Sequence, residues 1–246
     1  MLQVPRRTGF SGPTLVRLLA RLTDADAPSP ASSLSSQLSQ WLGWADAIAL
    51  SSALKANAPA MPPAASAAAG TKAQECARVR ATLADAIVED TSLAGKRRGP
   101  SRRSALPDPV DAQVDYAVYR QRYLTLQQTM ETAIGNLRAR LRVALSARGP
   151  GMAKLATVDA VMERVLGARE LSLLGTVPSM LEPHFQRLRQ AEAAALAEAQ
   201  AAGQPAAVRP GAWLAVFRKD MQSVLLAELD IRWQPLEGLL AALQDS

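Results

Sequence analysis

One cysteine and one histidine are all that this sequence offers for thiol and imidazole chemistry. Lone Cys76 excludes a disulfide within the chain, and its apolar neighbours give it the reading of a small core residue. Lone His184 has no cysteine or second histidine at ligand spacing, so no zinc site is expected, and His184 reads as structural. Aromatic residues make up only 4% of 246 residues, so the core must come from Leu, Ala, Val and Met. Lysine is almost missing too: Lys55, Lys72, Lys96, Lys154 and Lys219 stand against 23 arginines. Heavy use of Arg, Ala and Pro is what a GC-rich genome produces, so no single arginine is by itself a sign of function.

Long apolar runs are also missing. Charge interrupts each one before the roughly 20 residues that a membrane-spanning helix requires. Arg6 and Arg7 open no export signal, because Arg17 and Arg21 break the following segment and no small-residue cleavage site closes it. The expectation is a cytoplasmic protein without membrane insertion. There is no phosphate-binding Gly-rich loop, no Gly-x-Ser-x-Gly elbow and no dinucleotide fingerprint. A carboxylate-bridged metal centre in a bundle wants Glu-x-x-His on two helices, and the motif does not occur. No catalytic residue, cofactor or metal is therefore expected. Asp159 with Glu163, and Glu228 with Asp230, are expected to face solvent as partners of Arg164, Arg169 and Arg232.

What is present is helical. Ala- and Leu-rich segments without period-two alternation predict an all-α chain, a helical bundle organised around one long central helix. Residues 1–55 predict a helical hairpin. Its first helix starts at Pro13 with Leu15, Leu18, Leu19 and Leu22 on one face. Its second is capped by Ser32 or Ser33 and runs to Lys55, with Leu34, Leu38, Trp41, Leu42, Ala45 and Ile48 as its apolar stripe. Residues 56–72 form an Ala/Pro-rich linker, loose or disordered. Residues 73–92 form a helix that buries Cys76, Val79, Leu83 and Ile87. A second, basic linker occupies 93–112, and 113–246 is the main bundle, on which the earlier helices can pack as one domain.

The strongest signal lies at 113–148, where Tyr116, Tyr119, Tyr123, Leu126, Met130, Ala133, Leu137 and Ala144 recur at spacings of three and four. This is a heptad pattern broken only by Arg140. Tyr116, Tyr119, Tyr123, Leu126, Met130 and Leu137 are the candidate packing or docking seam. Beyond it the pattern predicts a helix over 157–174, one started or kinked by Pro178 and Pro183 and reaching 202, and one over 212–233. Pro235 then separates a short closing turn carrying Leu236, Leu239, Leu240 and Leu243.

The net charge of +6 is unevenly spread. Residues 93–148 hold eleven basic and four acidic side chains, and the remainder is within one charge of neutrality. Lys96, Arg97, Arg98, Arg102 and Arg103 form the densest run, with Arg138, Arg140, Arg142 and Arg148 as a second group. Lys96, Arg97, Arg98, Arg102, Arg103, Arg138 and Arg142 are the candidate contacts to a polyanion or partner. The run lacks interleaved aromatics for base stacking, which weighs against nucleic acid.

Five stretches carry a resemblance: RRTGFSGPTLVRLLARLTDAD with LSSQLSQWLGWADAIALSSAL, then RYLTLQQTMETAIGNLRARLR, VDAVMERVLGARELSLLGTVPSMLEPHF and FRKDMQSVLLAELDIRWQPLEGLL. Together they resemble, over nearly the whole chain, a proteobacterial family defined only as a domain of unknown function. The resemblance carries over no catalytic residue. It implies a genomic setting beside membrane proteins similar to the proton-channel subunits of energised motors, and beside proteins with peptidoglycan-binding domains. The expected function is a non-catalytic helical scaffold or adaptor that binds another protein, as an accessory factor of a membrane-embedded complex. The alternative is a nucleic-acid-associated accessory protein using 96–103 and 138–148. Nothing in the sequence sets the oligomeric state.

Overall fold

A computed structural model describes residues 13–23, 34–55, 67–96, 115–205 and 208–245. Among them are eight α-helices and no strand: α1 (Thr14–Thr23), α2 (Leu34–Trp41), α3 (Trp44–Lys55), α4 (Ala67–Lys96), α5 (Tyr116–Ser146), α6 (Pro150–Leu174), α7 (Val177–Ala201) and α8 (Ala212–Gln244). The chain is an all-α bundle. Helix α5 is central, packed by α4, α6, α7 and α8, while α8 also packs against α1, α4, α6 and α7, and α3 lies on α6.

Local chemistry sets the helix ends. The Asp115 side chain caps α5 by accepting the Ala117 N–H at 3.0 Å. Gly149, at φ 139°, turns the chain into Pro150, whose missing N–H costs nothing at a first helical position. Helix α8 starts after Gly211, at φ 83°, which has no side chain to cap with. Glu192 of α7 does it instead, accepting the N–H of Gly211 at 2.6 Å and of Trp213 at 2.9 Å. A buried carboxylate thus meets the positive end of a helix dipole.

Tyr116, Tyr119, Tyr123, Leu126, Met130 and Leu137 are buried inside the bundle. The pattern around them departs from the heptad reading. The buried line continues through Ile134, Leu141 and Leu145, with Ala133 and Ala144 only half-buried beside it. A straight helix repeats near 3.6 residues, so a stripe of strict heptads drifts off its face, and here the core follows the helix.

Four other boundaries differ from the sequence reading. The second helix is two, interrupted at Leu42 and Gly43, and Trp44 and Ile48 of α3 are exposed, Trp44 by 83%. Helix α4 begins at Ala67, within the segment read as a linker, because alanine is the best helix former whatever its lack of charge. Helix α6 begins at Pro150 rather than near 157. Helix α8 runs unbroken through Pro235 to Gln244. Proline costs an interior helix about 3 kcal/mol. Burial of Leu236, Leu239 and Leu243, on the stripe continued from Leu225, Leu229 and Trp233, offsets that at about 1.5–3 kcal/mol per side chain. The remaining linker positions, 56–66 and 97–112, lie outside the described residues.

The scarce aromatics are concentrated. Tyr116 and Tyr119 of α5, Phe185 of α7, and Trp213 and Phe217 of α8 meet with ring centroids 4.8–6.1 Å apart, mostly edge to face. This is the geometry that ring quadrupoles favour. The cluster joins α5, α7 and α8 at one end of the central helix.

Candidate functional site

One α5 position on the buried stripe is polar. Gln127 donates to the Leu174 carbonyl at the C-terminal end of α6, at 2.9 Å, and to both carboxylate oxygens of Glu228, at 2.9 and 3.0 Å. Glu228 is fully buried, and it also accepts from the Tyr123 hydroxyl at 2.8 Å and from Arg232 Nε at 2.9 Å. Burial, and then the Glu228 charge, hold the Tyr123 hydroxyl well above the ordinary tyrosine pKa. Arg232 reaches outward to Glu170 of α6 at 3.5 Å. A buried carboxylate with four donor contacts and one counter-charge is satisfied, and the network binds α5, α6 and α8 to each other.

Above this floor a cleft of about 420 Å³ opens between the three helices. Ile134, Met162, Leu166, Leu171 and Pro235 give it apolar surface, and Glu131, Arg138, Glu163, Glu170 and Arg232 give it charge. Two of its lining residues are glycines inside helices, Gly135 of α5 and Gly167 of α6. A Cβ added at either would meet no atom within 4 Å. An interior helical glycine costs about 1 kcal/mol relative to alanine. Neither glycine regains it through close packing.

Of the sequence-predicted contact residues, Arg138 and Arg142 lie among the described residues. Arg138 grips Asp159 with two parallel bonds, Nε to Oδ2 at 2.9 Å and Nη2 to Oδ1 at 2.6 Å. Arg142 bridges Asp159 at 3.1 Å and Glu163 at 2.5 Å. These pairs join α5 to α6, so Asp159 and Glu163 partner arginines of α5 rather than Arg164 or Arg169. Arg164 instead lies 3.4 Å from Asp46 of α3, and Arg169 lies over the Trp41 ring. Arg140 pairs with Glu75 of α4 at 2.8 Å. Glu75 is held below the ordinary carboxylate range, chiefly by its hydrogen bond from Lys72. Glu228 is buried rather than solvent-facing, and Asp230 pairs with Arg80 of α4. The Lys96 side chain, with Arg97, Arg98, Arg102 and Arg103, lies outside the described residues.

His184 has a partner that sequence spacing did not suggest. Its Nε2 lies 2.8 Å from Asp220 Oδ2 of α8, and Arg187 Nη2 lies 3.5 Å from its Nδ1. Arginine only donates, so Nδ1 is the acceptor and Nε2 carries the proton shared with Asp220. Arg187 also donates to the Leu22 carbonyl at the end of α1. The group therefore ties α7 to α8 and α1. Cys76 is buried, and burial pushes its thiol up, away from the reactive thiolate.

The arginines of the cleft face carboxylates, and among the described residues no group of three or more His, Cys, Asp and Glu is placed to hold a metal ion. Sequence reasoning missed Gln127, Glu170, Glu192 and Asp220, whose partners are distant in sequence. Only Gly135 and Gly167 left a local trace, as glycines inside strong helical patterns.

No curated protein and no solved structure matches the chain. The model of the family described as "Protein of unknown function (DUF3348)" matches residues 1–245, and the chain belongs to that family.

Proposed function

We propose that this protein is a non-catalytic helical scaffold or adaptor, and that the cleft between α5, α6 and α8 is where it docks another protein. The observation that carries the reading is the pair of glycines. Gly135 and Gly167 weaken two long helices, contact nothing across the cleft, and leave one mixed apolar and charged groove open. A groove with apolar anchoring surface and charged walls suits a protein partner. Exposed Trp44, a residue type enriched at interaction hot spots, gives α3 a second contact surface.

A cytoplasmic location belongs to the same proposal, as does an accessory role beside a membrane-embedded complex, which the resemblance implies. Among the described residues no helix is long and apolar enough to cross a membrane. Arg138 and Arg142 already direct their donors to Asp159 and Glu163, which weighs against the 138–148 part of a nucleic-acid surface.

The test is affinity purification from the native cell with the wild-type chain and with Gly135→Leu, which fills the groove. The proposal expects a reproducible protein partner that the variant loses while remaining folded. Equal recovery of every co-purifying protein by both chains would contradict it.

A further inference from the structure

We infer that the cleft receives a cationic amphipathic helix of a partner protein, whose Lys or Arg side chain lies along the apolar lining and ends beside Glu131 and Glu170. This deepens the docking proposal and rests on it.

The charge around the cleft carries the assignment. Three guanidiniums, Arg138, Arg142 and Arg232, face five carboxylates, Asp159, Glu163, Glu228, Glu170 and Glu131. Arg138 and Arg142 balance Asp159 and Glu163, and Arg232 sits closest to Glu228, at 2.9 Å. Glu170 holds only the longer 3.5 Å contact to the same arginine and is 39% exposed. Glu131 is exposed on the α5 wall. Two negative charges therefore remain at the rim of a groove in a chain whose net charge is +6. A cationic group answers that surplus, and an anionic one would be repelled.

Shape supplies the rest. Long basic side chains lay their methylenes on apolar surface and keep the charge at the edge. Ile134, Leu166 and Leu171 provide the surface, with the glutamates beside it. The missing side chains at 135 and 167 let the partner's backbone come close to two helix walls at once, as small residues do where helices approach. A helix presenting anchors at i, i+3 and i+4 is the partner that such a groove fits.

Two synthetic helices with one apolar pattern test this, one carrying Lys and Arg on its polar face and the other Glu. Each is labelled and titrated with the full chain, with fluorescence anisotropy as the readout. The expected result is at least about tenfold tighter binding of the cationic helix at low salt, the preference shrinking as salt rises. Glu131→Gln with Glu170→Gln should remove most of that preference. Gly135→Leu should abolish binding with the melting temperature unchanged or raised. Equal binding of both helices overturns the charge assignment, and retention of the cationic helix by Gly135→Leu overturns the site. Failure of both helices to bind the wild type overturns the inference, while partner loss on groove filling in the native cell still decides the docking proposal.

Discussion

Glu228 and Glu192 show how much of this bundle hangs on single buried carboxylates. Glu228 gathers Tyr123, Gln127 and Arg232 in the core, so Glu228→Ala strands the Tyr123 hydroxyl and Arg232 Nε and leaves Gln127 only the Leu174 carbonyl. We expect a loss of about 3–5 kcal/mol in urea unfolding, the cost of stranding one partner of a buried pair. Glu228→Leu combined with Arg232→Met should cost less than Glu228→Ala alone. A double variant worse than the single would show that the pair itself, and not the stranded charge, sets the cost. Glu192→Ala strips the N-terminal cap from α8, and about 1–2 kcal/mol should be lost in the same assay. An unchanged midpoint would mean that water replaces the cap freely.

Tyr123 adds a pH dependence at this scale. Its folded pKa lies well above the ordinary value near 10, first through burial and then through Glu228. Below that ordinary value both folded and unfolded chains hold the proton, and the stability from this group is intact. Above it the unfolded chain ionises while the folded one resists, so stability falls as pH rises. Thermal melts between about pH 8 and 11 should therefore decline less steeply for Tyr123→Phe than for the wild type. Parallel slopes would remove Tyr123 from the account.

At the scale of elements, α5 and α8 are governed by periodic burial. Met130→Asp puts a charge at a position that is 1% exposed and should unfold the protein, at a cost of about 4 kcal/mol or more. A folded Met130→Asp variant by circular dichroism would contradict the core assignment. The tyrosine seam of α5 was legible in the sequence because a long helix repeats its contacts locally. Its far end was misread because the true repeat is 3.6 rather than 3.5, which moves the stripe from Ala144 to Leu145. The continuity of α8 through Pro235 was not legible, since the local penalty of proline is visible in sequence and the tertiary burial of Leu236 and Leu239 is not. The polar network was illegible for the same reason. Gln127 and Glu228 are 101 positions apart, and Arg138 and Asp159 become partners only once α6 folds back along α5.

At the scale of the whole molecule, the exposed Trp44 and the cleft lie on a bundle built around one large apolar core. Aromatic rings hold α5 to α7 and α8 at one end, the Glu228 network holds α5 to α6 and α8 further along, α4 buries Cys76, Leu83 and Ile87 in the core, and α3 lies on α6. Gly135 and Gly167 line the cleft from two helices, and a Cβ added at either would meet no atom within 4 Å. The account's central claim is that this space is kept for a partner. In-cell function of Gly135→Leu, at folded protein levels matched to the wild type, tests it most directly. The account predicts loss of function from a chain that melts at the wild-type temperature or above it. Full function from that filled cleft would contradict it.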